Sequence, residues 1–326
     1  MILAGDIGGT KTLLRLEGLE RGDPAYEQRY ASGDYPGFGV LLREFLAECR
    51  SSLGNSFVLE RACLGVAGPV TEGRASVTNL SWRLDAAALA AEFGIGEVVL
   101  LNDFAAAAHG IDSLGPDELA TLQQGKPVAA APRLILGPGT GLGIAYVIRH
   151  SGERVALAGE AGHAAFAPRD AVQIDLLRWL SARHARVEVE DVVSGRGLEA
   201  IYAFLRERKG ETPAQRAQPG DAAAMAAAAK SGGDATALAA VDLFLSALGA
   251  VAGDHALGIL ARGGVYLTGG IAPKLLWRIP EGGLLRAFND RGGFSGLSET
   301  MPVHVVLNER LGLLGAALLA SGEKGG

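Results

Sequence analysis

Two stretches far apart in the chain share one design. "AGDIGGTKTLLRLEG", starting at Ala4, and "RLILGPGTGLGIAYVI", starting at Arg133, each run from an apolar segment through a glycine-rich turn into a second apolar segment. The apolar positions after each turn alternate as in a strand. The first stretch fails both common phosphate-loop patterns. Thr10 separates Gly9 from Lys11, so no Gly-Lys-Ser/Thr opens a helix, and no G-x-G-x-x-G can be placed there. Strand, glycine turn, strand is what remains, and its recurrence predicts an α/β architecture with two related halves.

A glycine turn between strands has its own chemistry. Gly8 and Gly9 can take positive φ and leave room for a ligand to approach the backbone, so that consecutive N–H groups can point at phosphate oxygens. Thr10 adds a hydroxyl and Lys11 a positive charge. Asp6 cannot favour phosphate directly; its sensible role is to orient a hydrated magnesium ion. A plain hairpin turn explains Gly-Gly equally well on its own. The second turn, with Gly139, Thr140 and Gly141, favours a nucleotide shared by two such units. A third segment, "GGVYLTGGIAPKLL", reads as a strand ending at Gly269 and Gly270 and leading into a helix, a layout suited to an adenosine against exposed backbone.

Composition narrows the partners. The chain has 326 residues, 48% hydrophobic and 20% charged, which is enough for two packed domains. A net charge of -6 gives no basic excess for a nucleic acid backbone, so nucleic acid is not an expected partner. No apolar run approaches the ~20 residues of a membrane span and no secretory leader is evident, so a cytoplasmic protein without a membrane partner is expected. Cys49 and Cys63 are too few for a disulfide framework or a cysteine-built zinc site and read as packed thiols.

Further segments carry acids and a histidine. "EVVLLNDFAAAAHG" reads as a buried strand ending at Asn102 and a helix beginning near Asp103. A carboxylate at that junction is either a helix cap or, at the mouth of an α/β layer and beside a helix N-terminus, an ionised base. "LAGEAGHAAFAP" places Glu160 and His163 on a loop; Gly159, Gly162 and Pro168 argue against the regular helix that a metal-binding Glu-x-x-His would need. His109 reads as a helix end and His304 as an alternating strand position. The alanine-rich run from Asp221 to Ala240 reads as a capped helix with a Ser-Gly-Gly break. "ERLGLLGAALLA" reads as a closing amphipathic helix whose Gly312 and Gly315 permit close packing.

The ordered set "GDIGGTKT", "GVAGPV", "LNDFAAAAHG", "GPGTGLG", "GEAGHAAFAP", "EDVVSGRGLEAIY" and "LTGGI" resembles the bacterial ATP-dependent glucokinases, from Ala4 to about Leu319. These belong to the sugar kinase, Hsp70 and actin superfamily. The ROK branch of bacterial sugar kinases carries a cysteine-rich zinc motif after its "GH"; this chain has no cysteine beyond Cys63 and so resembles the non-zinc branch. The resemblance implies a duplicated, two-domain ribonuclease-H-like fold with a nucleotide cleft between the domains. A small domain over 1–103, rejoined by a C-terminal helix at about 308–326, and a large domain over 104–307 are expected, with a doubly crossed hinge and closure that expels water.

The resemblance also implies ATP with Mg2+, glucose as acceptor, and a homodimer. Asn102, Asp103, Glu160, His163 and Glu190 correspond to the glucose-contacting residues, with Asp103 as the base for the 6-hydroxyl proton. Glu190 rests on "EDVVSG", where Glu188 and Asp191 are rivals; Thr78 and Asn79 in "SVTNLSW" match a family stretch or a plain turn. Two other readings stay open. One is a hexokinase for another sugar or for a donor such as ADP or polyphosphate. The other is a sugar-responsive regulator without catalysis, which would need a DNA-binding module that is not expected upstream of Ala4 and would have no use for Asp103. An Hsp70-like ATPase is weaker, since its substrate-binding domain would be expected to follow.

Overall fold

A computed structural model describes residues 1–19, 24–54, 57–210 and 222–322. The chain opens with strands β1 (Ile2–Ile7), β2 (Lys11–Glu17) and β3 (Tyr26–Ala31) and helix α1 (Phe38–Leu53). There follow β4 (Arg61–Val66), the short strands β5 (Val70–Thr71), β6 (Arg74–Ser76) and β7 (Arg83–Asp85), α2 (Ala86–Phe93), β8 (Glu97–Asn102) and α3 (Asp103–Gly110). Next come β9 (Leu119–Gln123), β10 (Arg133–Pro138), β11 (Leu142–His150), β12 (Glu153–Gly159), α4 (Ala171–Ser181), α5 (Gly195–Arg208), α6 (Ala222–Lys230) and α7 (Ala235–Ile259). The described chain ends with β13 (Gly264–Leu267), α8 (Leu284–Asn289), α9 (Ser295–Ser298), β14 (Val303–Val306) and α10 (Leu311–Ala320).

Two compact units result. The first holds Met1–Pro116, Tyr146–Ala158 and the segment from Asn308 onward; the second holds Asp117–Ala145 and Gly159–Leu307. The first unit thus continues past residue 103 and takes in α3, and it gains Tyr146–Ala158, a segment that sequence alone did not separate. Packing explains the place of α3. Its Ala106 carbonyl touches the point where Gly315 of α10 would carry a Cβ, and Gly110 similarly abuts the Leu311 carbonyl, so two glycines let the helix backbones meet.

The main sheet of the first unit has the order β3-β2-β1-β4-β8. β1 pairs antiparallel with β2 and parallel with β4, and β4 runs parallel to β8. Alternation along β1 sends Leu3 and Ile7 into the core formed with Phe38, Leu41, Leu42 and Phe45 of α1. Ile2 and Ala4 go to the opposite face, where they meet Leu313, Ala316 and Ala317 of α10. Asp6 continues that second face. α10 is apolar nearly all round, with Leu311, Leu313, Gly315, Ala316, Ala317, Leu318 and Ala320 buried, so the amphipathic helix expected here is instead a core helix between a sheet and α3.

A second sheet repeats the order. It runs β12-β11-β10-β13-β14-β9, the same arrangement of its first five strands with β9 added antiparallel to β14, and its strands β9, β10, β13 and β14 lie in the second unit. β10, β13 and β14 are parallel neighbours. α7 lies at the centre of the helices, packed by α5, α6 and α8, and is capped by Asp234, whose carboxylate accepts from Thr236 and Ala237 N–H groups. At 25 residues it is long and apolar enough to cross a membrane, contrary to the expectation that no run approaches that length. Its burial by neighbouring helices and its Asp242, which binds Arg278 at 2.7 and 2.8 Å, account for it as a core helix. The break before it falls at the predicted Ser-Gly-Gly; Asp221, predicted as the cap of the preceding helix, lies outside the described residues.

Candidate active site

In the first unit the turn Gly8–Thr10 joins β1 to β2. Gly8 N–H donates to the Lys11 carbonyl at 3.0 Å, and Ser32 clamps the turn twice, its N–H on the Thr10 carbonyl and its hydroxyl on that of Gly8 at 2.7 Å. The Ser32 hydroxyl also meets that of Thr12 at 2.9 Å. Neither Gly8 nor Gly9 has positive φ, so the turn does not use that freedom of glycine. Glycine is needed for proximity instead: a Cβ on Gly9 would lie 2.6 Å from the Thr78 carbonyl oxygen, and one on Gly8 3.0 Å from that of Lys11. Thr78 and Asn79 form the turn after β6, so Thr78 enters through its backbone.

Asp6 ends the face of β1 that meets α10. Its carboxyl lies 3.3–3.5 Å from the place a Cβ would occupy on Gly312, in the first turn of that helix. Burial pushes its pKa up to about 6, with the Lys11 charge pulling the other way. Lys11 itself stands 3.8 Å from Glu309. Beside it a polar cavity of about 340 Å³ is lined by Lys11, Leu13, Glu27, Gln28, Arg29, Glu309 and Arg310, none of them a predicted sugar contact.

Asn102 and Asp103 sit where β8 passes into α3. The helix cap falls on Asn102: its side-chain oxygen accepts from Phe104 N–H at 2.9 Å and Ala105 N–H at 3.3 Å, and its amide donates to the Gly68 carbonyl at 3.2 Å. Asp103 is therefore the first helical residue, with one carboxylate oxygen 3.0 Å from Phe104 N–H. The helix N-terminus favours its ionised form. Gly65 of β4 lets α3 come close, since its missing Cβ would lie 3.0 Å from that of Ala106 and 3.6 Å from Asp103 Cα.

The second unit gathers the remaining motifs. Gly139 N–H donates to the Gly141 carbonyl at 2.8 Å, closing the turn between β10 and β11, and the Gly139 carbonyl accepts from Gly195 N–H at 2.8 Å at the start of α5. Ser194 caps α5 by accepting from Gly197 N–H at 3.0 Å. Gly269 has φ +81, and a Cβ there would lie 2.7 Å from the Pro138 carbonyl, so this third glycine segment abuts the end of β10. Gly270 is exposed with open space around its Cβ position. The helix predicted to follow is a short 3-10 turn, Pro273–Leu275, and regular helix begins only at α8.

Glu160 and His163 lie on a 3-10 turn, Ala161–His163, rather than an α-helix. Gly162 presses against the Leu142 carbonyl, which ties this turn to the start of β11. His163 Nδ1 lies 2.6 Å from a Glu188 oxygen, and its Nε2 4.0 Å from Glu160. The Glu188 hydrogen bond holds the histidine pKa above its ordinary value, aided by the charges of Glu190, Glu188 and Glu160. Glu190 is turned elsewhere. It accepts from Leu142 N–H at 3.2 Å and pairs with Arg196 at 3.0 Å, and a Cβ on Gly141 would lie 2.6 Å from its carboxylate. The structure thus joins Glu160, His163 and Glu188 in one cluster and sets Glu190 under the second glycine turn. Glu188, in the sequence only a rival to Glu190, is the direct partner of His163. Among the described residues no group of three or more His, Cys, Asp or Glu side chains forms a metal cage.

Two sheets of one strand order, each with a glycine turn between its first two paired strands, define the duplicated fold of the sugar kinase, Hsp70 and actin superfamily. Within that class the chain belongs to the glucokinase family, whose model matches residues 3–323. It is 42% identical to a glucokinase of Nostoc sp. over 98% of this chain and 99% of that one. It is 35% identical to a glucokinase of Caulobacter vibrioides over 98% and 95%. Its structure is similar to that of a glucokinase from an Antarctic psychrotroph, with a TM-score of 0.84, 29% identity and 98% of each chain covered. A glucokinase of Balamuthia mandrillaris in complex with glucose shares the fold at a TM-score of 0.78 and 23% identity, over 98% and 93%. Enzymes of this family are ATP-dependent phosphotransferases acting on glucose.

Proposed function

We propose that the chain transfers the γ-phosphoryl group of ATP to the 6-hydroxyl of glucose, with Asp103 accepting the hydroxyl proton. The observation that carries this reading is the division of labour at the head of α3. Asn102 takes the capping role, and Asp103 places a carboxylate in the first helical turn, where the helix dipole favours the charge that a base needs. Glu160 and His163 bracket the sugar hydroxyls, and Glu190, through Leu142 N–H, stiffens the second glycine turn while its charge acts on His163. Gly9, Thr10, Lys11, Thr140 and Gly141 offer backbone and side-chain donors to the phosphates, Gly8 and Gly139 close the two turns that present them, and Gly269 turns the chain so that Gly270 offers open backbone to the adenosine.

Magnesium fits this arrangement. Asp6 is a single carboxylate in a half-buried position beside Lys11, and Mg2+ commonly uses one or two carboxylates with substrate phosphates and waters. Such an ion, brought in with ATP and held by Asp6 through water, would neutralise phosphate charge. The chain acts in the cytoplasm as a homodimer in this reading, by analogy with its family; the mass of the purified protein in solution by light scattering tests the dimer. The function is tested with one panel of hexoses crossed with ATP, ADP and polyphosphate, scored for sugar 6-phosphate. Glucose should exceed mannose and galactose in kcat/KM by roughly tenfold or more, because each epimer leaves a bracket group unpaired. A better rate with another hexose or donor replaces this reading with a broader hexokinase.

A further inference from the structure

We propose that Glu188 is a positioning residue for the sugar: its carboxylate fixes the His163 ring so that Nε2 presents an N–H to a hydroxyl lying beside Glu160. The inference rests on the reading of the Glu160–His163 turn as the acceptor bracket. Its core is the 2.6 Å contact between His163 Nδ1 and Glu188 Oε2. A carboxylate only accepts, so Nδ1 supplies the proton of that bond. The opposite nitrogen then faces Glu160 Oε2 across 4.0 Å. That gap is too long for a direct hydrogen bond and suits one hydroxyl that accepts from Nε2 and donates to the carboxylate.

The backbone holds Glu188 in register with the turn it serves. Phe166 N–H donates to the Val187 carbonyl at 3.1 Å and Val189 N–H to that of Ala164 at 2.9 Å, pairing the two loops on either side of the His163–Glu188 contact. Glu188 N–H donates to Asp191 at 2.9 Å, which starts the 3-10 turn Val189–Asp191 and swings Glu190 toward Leu142. Arg186 spans the pair, with one nitrogen 3.2 Å from the His163 carbonyl and another 3.7 Å from Glu188. The charges that act on His163 are Glu160 on its own turn and Glu188 and Glu190 on the facing turn, with the cation Arg186 bound to its carbonyl and to Glu188. This surplus of acid favours the imidazolium, in which Nε2 is a donor.

Glu188→Gln in the full chain tests the assignment. Glucose KM should rise ~10-fold, the scale of a weakened charge-assisted hydrogen bond, while kcat at saturating glucose and KM for ATP stay within about twofold. Wild-type glucose KM should climb as pH rises through the His163 pKa, and in the variant that climb should begin at lower pH. In a His163→Ala background the same change should add nothing. Imidazole NMR of His163 without substrates reads the interaction apart from turnover: the wild-type ring should titrate above the ordinary histidine range and the variant lower. That NMR shift in an enzyme unable to phosphorylate glucose would leave the pairing standing and remove the function above. Unchanged titration and unchanged glucose KM, or full additivity with His163→Ala, overturns the proposal. If Glu188→Gln does not fold, the wild-type titration decides: an ordinary or lowered His163 pKa overturns it and a raised one supports it.

Discussion

The two glycine turns occupy the same place in sheets of the same strand order but are braced differently. Gly8–Thr10 is held by short, rigid contacts, with the Ser32 hydroxyl and N–H above it and the Thr78 carbonyl directly beneath Gly9. The turn at Gly139–Gly141 rests on groups that can adjust: the carboxylate of Glu190 lies under Gly141, and the first residue of α5 anchors Gly139. Duplication therefore conserves the hairpin and leaves the brace to local sequence. The first turn is a fixed backbone cradle. The second is tied, through Leu142 and Glu190, to the loop that carries Glu160 and His163. In the function proposed above, phosphate and sugar binding share side chains in the second unit, while the first joins its glycine turn to the helix of the proposed base.

The strongest test of that division is Asp103→Asn. It should lower kcat by ~10²-fold or more with little change in glucose KM, since the amide keeps the shape and loses proton acceptance. Turnover near wild type would remove the base from the first unit and with it half of the contrast. Next in size is Gly9→Ala. The added methyl meets a backbone carbonyl at 2.6 Å that cannot swing away, so ~1 to 3 kcal/mol of stability and at least tenfold in KM for ATP should be lost. Gly141→Ala meets only the end of a carboxylate, so denaturant unfolding should register less than half that loss, with a larger proportional rise in glucose KM. Equal losses in the two variants would erase the distinction between rigid and adjustable brace.

The smallest effect concerns Asp6, whose pKa is pushed up to about 6 by burial. A carboxyl raised in the folded state contributes stability while it is neutral, fully below its ordinary value near 4, and loses that contribution as pH climbs through 6. Above pH 6 the buried charge is a cost. Asp6→Asn should therefore raise Tm by a few degrees at pH 8 and by less at pH 5, in scans without nucleotide or metal, while reducing kinase activity. A Tm gain that is the same at both pH values would mean that Asp6 is not strained by burial, and that the first turn is braced without electrostatic cost.

The hairpins were legible in sequence because strand alternation and paired glycines are local signals, and the motif order carried the fold. Positions set by long-range packing were not. Gly8 and Gly9 resemble a positive-φ turn on paper, and only the Thr78 carbonyl, many residues away, reveals that closeness is the requirement. Asn102 and Asp103 are both good caps, and which one caps depends on where β8 releases the chain. Glu188 and Glu190 alternate as if on one strand face; the 3-10 turn that begins after Glu188 sends them to different partners. α7 escaped as a long apolar helix because its acids break up the hydropathy of the whole run, and α10 was read as amphipathic because its two sides are covered by elements distant in sequence.

The seating of α3 against α10 also sets an order in time. The glycine contacts that bring Ala106 to Gly315 and Gly110 to Leu311 join a segment near the start of the chain to one made after the whole second unit. A ribosome that has released residues only as far as Leu307 has already delivered Asp103, both glycine turns and the His163 loop, but not the surface on which the helix bearing Asp103 rests. The nascent chain thus carries its chemistry unarmed until the closing helix emerges and docks.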